Sequence, residues 1–162
     1  MVLNTGIKSM PEEYVAYLLK RGDYSLMADA FEELRKWVDE NDFGPGGPPV
    51  IVYLTSPVGT PPSIREWEIR IPVRGNRYAV AGECGPGVKK VPAREVVFTT
   101  NVGGYTTVED VLPALFQELY DKNCRLAGPA EEVYPADFAG MPVEEVVTEV
   151  RFPVVPRSRR DS

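Results

Sequence analysis

Apolar residues along the chain form strand-like and helix-like runs that appear twice in the same order. Residues 14–19 (YVAYLL) and 95–100 (EVVFTT) are rich in β-branched and aromatic side chains, and each run predicts a strand. A stripe of helical period follows each. Leu26, Met27, Ala30, Phe31, Leu34, Trp37 and Val38 predict a helix over residues 25–41, with Ser25 as its N-cap. Val108, Val111, Leu112, Leu115, Phe116 and Leu119 predict the second helix, where Pro113 should kink the helix or delay its start. A Gly-Pro pair then leads to a short strand, residues 50–54 or 131–135, and a Gly/Pro-bearing loop leads to a last one, residues 67–73 or 148–154. Residues 74–88 read as a linker in which residues 76–83 add an extra strand, and residues 155–162 read as a disordered tail.

The recurrence has a fixed step. Shifted by 81 positions, residues 8–73 lie on residues 89–154 without a gap, and 17 of the 66 pairs are identical. Unrelated sequences would share roughly four or five. The matches fall where the backbone or core is demanding: Gly22 and Tyr24 meet Gly103 and Tyr105, and Gly47, Pro48, Val52 and Tyr53 meet Gly128, Pro129, Val133 and Tyr134. Glu68, Arg70, Pro72 and Val73 meet Glu149, Arg151, Pro153 and Val154. The chain therefore reads as a single α+β domain made by tandem duplication of a β-α-β-β unit. Pseudo-two-fold symmetry is expected, with the helices on the back and a central ligand cleft between the repeats.

Strand parity assigns the side chains of that cleft. Ile69, Ile71 and Val73, with Val150, Phe152 and Val154, should face the helices, as should Val52 and Val133. The cleft set is then Ile51 and Tyr53, Glu132 and Tyr134, and Glu68, Arg70, Glu149 and Arg151. Tyr17 and its counterpart Phe98 either line the cleft or lie under the helices. One difference between the halves carries chemistry: Ile51 corresponds to Glu132. An apolar half facing a carboxylate suits an amphipathic cation, with aromatic walls for its body and one anion for its charge. Alternatively Glu132 pairs with Arg151 on the next strand or sits at a rim, and Glu68, Arg70, Glu149 and Arg151 form a cross-strand charge ladder.

Composition narrows the chemistry. The 162 residues hold no histidine, which removes Ser-His-Asp and Cys-His nucleophile pairs, histidine-rich zinc sites and the usual axial haem ligand. The net charge of −6 supplies no basic footprint for nucleic acid. Cys84 and Cys124 form no metal or redox motif and suit reduced thiols in a cytoplasmic protein. The sequence shows no signal peptide and no apolar run long enough to span a membrane. No cofactor fingerprint occurs, and no metal site is expected.

The segments GPPVIVY (47–53), GPAEEVY (128–134), TEVRFPV (148–154) and VKKVPA (88–93), with the paired Gly-x-Tyr turns, resemble the GyrI-like small-molecule-binding family. The likeness covers residues 8–154. It includes effector-binding domains of multidrug-responsive transcription activators, gyrase-inhibitory proteins and some stand-alone hydrolases. The resemblance implies paired β-α-β-β units around a cleft that binds hydrophobic, often cationic drugs. It also implies a buried glutamate in a Glu-[Ile/Val]-Tyr element, matched by Glu132-Val133-Tyr134. Because its first strand starts almost at once, the chain is expected to be a stand-alone member without a DNA reader. Two rivals follow from the same family. One is hydrolysis of cyclopropane-bearing toxins with Glu132 as base and Tyr134 or Tyr53 nearby; the other is a gyrase-inhibitor-like interaction with a protein partner. Binding is the preferred reading, since no nucleophile elbow or metal set demands turnover.

Overall fold

The computed structural model describes residues 4–74, 85–102, 108–136 and 138–157. The chain divides into two compact units, residues 12–92 and residues 1–11 with 93–162. Their elements, in chain order, are β1 (Gly6–Met10), β2 (Glu13–Arg21), α1 (Met27–Glu40), β3 (Val50–Tyr53), β4 (Glu66–Val73), β5 (Gly87–Val91), β6 (Arg94–Val102), α2 (Val108–Asp121), β7 (Cys124–Leu126), β8 (Ala130–Val133) and β9 (Val147–Pro156). The fold is α+β and mostly antiparallel. Most boundaries recur at the 81-residue step: β1 with β5, β2 with β6, α1 with α2. Asp42 and Asn123, also 81 apart, both take left-handed backbone just after their helices (φ 58° and 53°). Asp and Asn tolerate that conformation better than most residues, which makes them apt helix exits.

In the α1 unit the strand order is β5-β2-β4-β3, all antiparallel. Its core gathers Ala16 and Leu18 of β2, Ala30, Leu34 and Val38 of α1, and Trp67, Ile69, Ile71 and Val73 of β4. The stripe predicted for the helix is thus largely correct, but Leu26 is exposed and, in place of Ser25, is itself the N-cap of α1, making no side-chain cap bond. A 3₁₀ turn, Tyr24–Leu26, precedes α1, and the Asp23 carboxylate accepts the Ser25 backbone N–H at 2.8 Å. That bond holds the Asp23 carboxyl below its usual range. Gly22 closes the turn with φ 130°; a Cβ there would meet Leu26 Cδ1 at 2.9 Å.

In the α2 unit the order is β1-β6-β9-β8, with β7 added to β9. Val108, Val111, Leu112 and Leu115 are the buried face of α2. The helix starts at Val108, upstream of exposed Pro113, so the proline does not delay its start.

Among the described residues, three short strands lie outside the sequence prediction. β1 and β5 precede the expected opening strands, and neither pairs with the strand that follows it: β1 joins β6, and β5 joins β2. β7 is the third. The tail also begins later than expected, because Val155 and Pro156 continue β9. Residues 76–83, Cys84, Gly103, Tyr105 and residues 158–162 lie outside the described residues. No helix among the described residues is long and apolar enough to cross a membrane.

Candidate functional site

Register decides which side chains share a face, because residues directly opposite on antiparallel strands project the same way. β8 pairs with β9 as Glu131↔Arg151, Glu132↔Val150 and Val133↔Glu149. Glu132 therefore shares its face with Val150 and Phe152, and the Phe152 ring lies 5.4 Å from Phe116 of α2. In the α1 unit, Ile51↔Ile69 and Tyr53↔Trp67 likewise put Ile51 and Tyr53 on the helix-bearing face. This corrects the parity expected for both strands: Val52 and Val133 point away from the helix face, while Ile51, Tyr53 and Glu132 point toward it. The physical reason is that all four residues of β3 are buried, as are Ala130, Glu131 and Glu132 of β8, so alternation carried no signal there.

Glu132 is 3% exposed, and its partners among the described residues include three neutral donors. Thr148 Oγ1–H donates to Oε2 at 2.6 Å, the Asn101 side-chain amide donates to the same oxygen at 3.2 Å, and the Tyr134 hydroxyl donates to Oε1 at 3.2 Å. Asn101 and Thr148 are direct cross-strand partners on β6 and β9, which sets their side chains side by side. The Tyr134 ring lies 5.1 Å from Phe138. Burial, then the charge of Glu132, then their hydrogen bond push the Tyr134 phenol well above its ordinary value. It stays a proton-bearing donor throughout the neutral range.

The other face of the α2 unit carries an ion network. Glu131 Oε1 accepts from Arg94 Nη2 at 2.8 Å and from Arg151 Nε at 3.0 Å. Arg151 Nη1 donates to Glu149 at 3.2 Å, and Lys8 of β1 bonds Glu149 while its ammonium lies 4.5 Å from the Phe98 ring centre. The α1 unit repeats this arrangement: Glu68 accepts from Arg70 at 2.6 Å and from Lys89 of β5 at 2.9 Å, with Lys89 4.4 Å from the centre of Tyr17.

The structure thus brings together Glu132 and Tyr134 on one face, and Phe98, Glu149 and Arg151 on the other. Arg151 bonds Glu131, not Glu132. Tyr17 joins the ladder of the α1 unit, whereas Ile51 and Tyr53 lie on that unit's helix-bearing face; Tyr53 stands edge-on to Tyr24 at 5.5 Å. Asn101 and Thr148 were not anticipated, although the comparison that singles out Glu132 exposes them too: their counterparts are Lys20 and Trp67. Among the described residues, no group of three or more His, Cys, Asp or Glu side chains is placed to hold a metal ion.

A family model, the GyrI-like small molecule binding domain, matches residues 4–155. Among solved structures, the C-terminal domain of EcmrR is similar with a TM-score of 0.79 at 18% identity, covering 97% of this chain and 100% of that one. The chain spans 58% of the EcmrR chain in its complex with DNA. A hydrolase from Listeria innocua is similar with a TM-score of 0.64 at 12% identity, over 93% of this chain and 92% of that one. SAV2435 bound to tetraphenylphosphonium follows with a TM-score of 0.57 at 13% identity, over 94% of each chain. At these identities the structural likenesses speak for the fold. No curated protein matches the sequence.

Proposed function

The chain belongs to the GyrI-like small molecule binding family, and from that premise we propose that it binds hydrophobic aromatic cations, with Glu132 supplying the counter-charge. The observation that supports this is the buried Glu132 carboxylate. A carboxylate inside a protein is costly unless hydrogen-bonded. Thr148, Asn101 and Tyr134 stabilise and orient it without bringing charge of their own. The neighbouring rings of Tyr134 and Phe138 offer aromatic contact to a ligand's body. A similarly folded protein, SAV2435, has been solved with tetraphenylphosphonium, a cation of this chemical type.

In this reading Arg151, Glu149, Phe98 and Tyr17 brace their sheets, and the ligand is met by Glu132 and Tyr134 in the α2 unit. Ile51 and Tyr53 are their counterparts in the α1 unit. The role is sensing or sequestration of such compounds. A free, buried Cys124 fits the reducing cytoplasm, and the acidic net charge of −6 argues against a direct nucleic-acid role.

The test is calorimetric titration with tetraphenylphosphonium and with neutral triphenylphosphine oxide. Glu132→Gln should weaken the cation by about 1–3 kcal/mol, the scale of a hydrogen bond to a charged group, and leave the neutral compound nearly unchanged. Equal loss for both would mean that Glu132 shapes the site without selecting charge.

Hydrolysis is the second reading, favoured by the direct Tyr134–Glu132 hydrogen bond. Against it, the lone pairs that Glu132 would use as general base are already engaged by Thr148, Asn101 and Tyr134. An electrophilic cyclopropane compound in excess over the protein should therefore be recovered unaltered by mass spectrometry.

A further inference from the structure

The outer faces of the two helices differ more than their buried faces do. In α1, Glu32, Arg35 and Asp39 form an ion-paired row: Arg35 Nη2 donates to Glu32 at 2.8 Å and Nη1 to Asp39 at 3.4 Å. All three are exposed, as on an ordinary solvated helix face. The positions 81 residues on, in α2, hold Pro113, Phe116 and Tyr120. Every charge of the row is gone, and the replacements are all exposed, Phe116 by 46% and Tyr120 by 74%. Glu109, exposed as well, opens the row one turn earlier, where α1 has Ala28.

The order Glu109, Pro113, Phe116, Tyr120 places all four on one seam of α2, with the spacing that lets helices lie side by side. Phe116 is braced from below, its ring 5.4 Å from Phe152. Apolar surface continues onto the sheet at exposed Leu126, which pairs across from Val154 on the same face as Phe152. Residues 158–162 (SRRDS) hold no apolar side chain to lie on this surface. An anionic membrane is opposed by the flanking carboxylates of Glu109, Asp110 and Asp121.

The seam is, by contrast, complementary to itself. It is symmetric about its midpoint between Pro113 and Phe116, with an acceptor at one end and a donor at the other. Two copies laid parallel would set carboxylate against carboxylate. Laid antiparallel, they set each Glu109 against the Tyr120 hydroxyl of the other copy and each Pro113 against Phe116, with the helix dipoles opposed. We propose that α2 is the contact of a two-fold symmetric dimer of this chain, formed by antiparallel packing of this seam. One helix face with Leu126 is small against the roughly 1,200–2,000 Å² of a stable interface, so the dimer is a weak one that forms with rising concentration.

Sedimentation velocity of the full chain from about 5 to 500 μM tests this, with a dissociation constant expected in the tens of micromolar, on the order of the weak-interface range. The repeat supplies the disrupting variant: Phe116→Arg with Tyr120→Asp installs the residues that α1 carries at the same positions, and this variant should stay monomeric throughout. Circular dichroism checks its fold; if it does not fold, Tyr120→Asp alone, at the most exposed position, should weaken association at least about tenfold. Glu109→Ala and Tyr120→Phe should each weaken it severalfold, and the two together no more than either alone, because they remove the same hydrogen bond. Arg35→Ala with Asp39→Ala, on the solvated row of α1, should leave it unchanged. A chain that is monomeric at the highest concentration, or a dimer untouched by the α2 variants, would overturn the proposal. Independent, additive effects of Glu109→Ala and Tyr120→Phe would overturn the antiparallel arrangement.

Discussion

Arg151 and Glu132 stand on adjacent strands but on opposite faces of one sheet: Arg151 Nε reaches Glu131, one residue away, at 3.0 Å. The buried arginine is thereby committed to the carboxylates of Glu131 and Glu149, and the carboxylate of Glu132 is held from the other side. On the proposed reading, stability and ligand recognition fall to different faces of the same strand pair.

Removing the arginine should therefore cost stability and spare recognition. Arg151→Met leaves Glu131 buried against Arg94 alone, a loss of about 3–5 kcal/mol by the usual scale for breaking a buried pair. Urea unfolding should show this loss, and only the triple variant Arg94→Met, Glu131→Met, Arg151→Met, which removes the buried charges together, should recover much of it. Cation affinity of the folded Arg151→Met protein should change little.

Tyr134 predicts a response to alkaline pH. Its folded-state phenol is raised above the unfolded value of about 10, so its contribution is present in full below that value and is lost as pH climbs beyond it. At neutral pH, Tyr134→Phe should cost about 1 kcal/mol for the hydrogen bond to Glu132. Above about pH 10 the unaltered protein should lose stability more steeply than Tyr134→Phe, so that the gap between them closes. Denaturant titrations at a series of pH values read this directly.

Gly22 should resist replacement. Its φ of 130° disfavours any side chain, and an added Cβ would press on Leu26. Gly22→Ala is expected to destabilise by about 1–3 kcal/mol, measured by thermal melting. The effect should reach Trp67, whose indole bonds the Gly22 carbonyl, as a shift in tryptophan emission.

The pairing of β1 with β6 can be trapped chemically. Ser9 and Glu95 are exposed and face each other across the two strands. In a background with Cys84 and Cys124 replaced by serine, Ser9→Cys with Glu95→Cys should oxidise to an intramolecular disulfide. Lys90→Cys with Glu95→Cys, the pair that a local β5–β6 hairpin would bring together, should stay reduced, because Lys90 lies across from Tyr14.

How much was legible in the sequence depended on whether a segment has one covered face or two. α1, α2, β2 and β6 show their period because one side packs and the other does not. β3 is buried along its length, so Val-Ile-Val-Tyr looks the same from either side and the facing of Ile51 and Tyr53 was assigned the wrong way round. β8 hides two consecutive glutamates, each satisfied on its own face, which no alternation rule anticipates. β1 and β5 are five-residue edge strands bearing lysines, a composition that mutes the strand signal while discouraging unwanted pairing. Glu132 stood out because its counterpart is isoleucine. Thr148 and Asn101 carried the same kind of contrast but lay on strands read for their similarities.

The crossed pairing of the opening strands also orders the birth of the molecule. Residues 12–92 form a continuous unit, complete once Pro92 has been synthesised. Of the described strands β1 is made before the others, yet its partner β6 runs from Arg94 to Val102. It must therefore wait, with its hydrogen-bonding edge open, while the whole α1 unit is made. Pro11 separates it from β2, and a proline cannot adopt the positive φ that a tight two-residue hairpin requires, so the waiting strand cannot satisfy itself by folding back on its neighbour. Long waits of this kind expose a nascent chain to the wrong partners, and Lys8 gives the idle strand a charge that keeps it in water until Glu149 arrives to claim it.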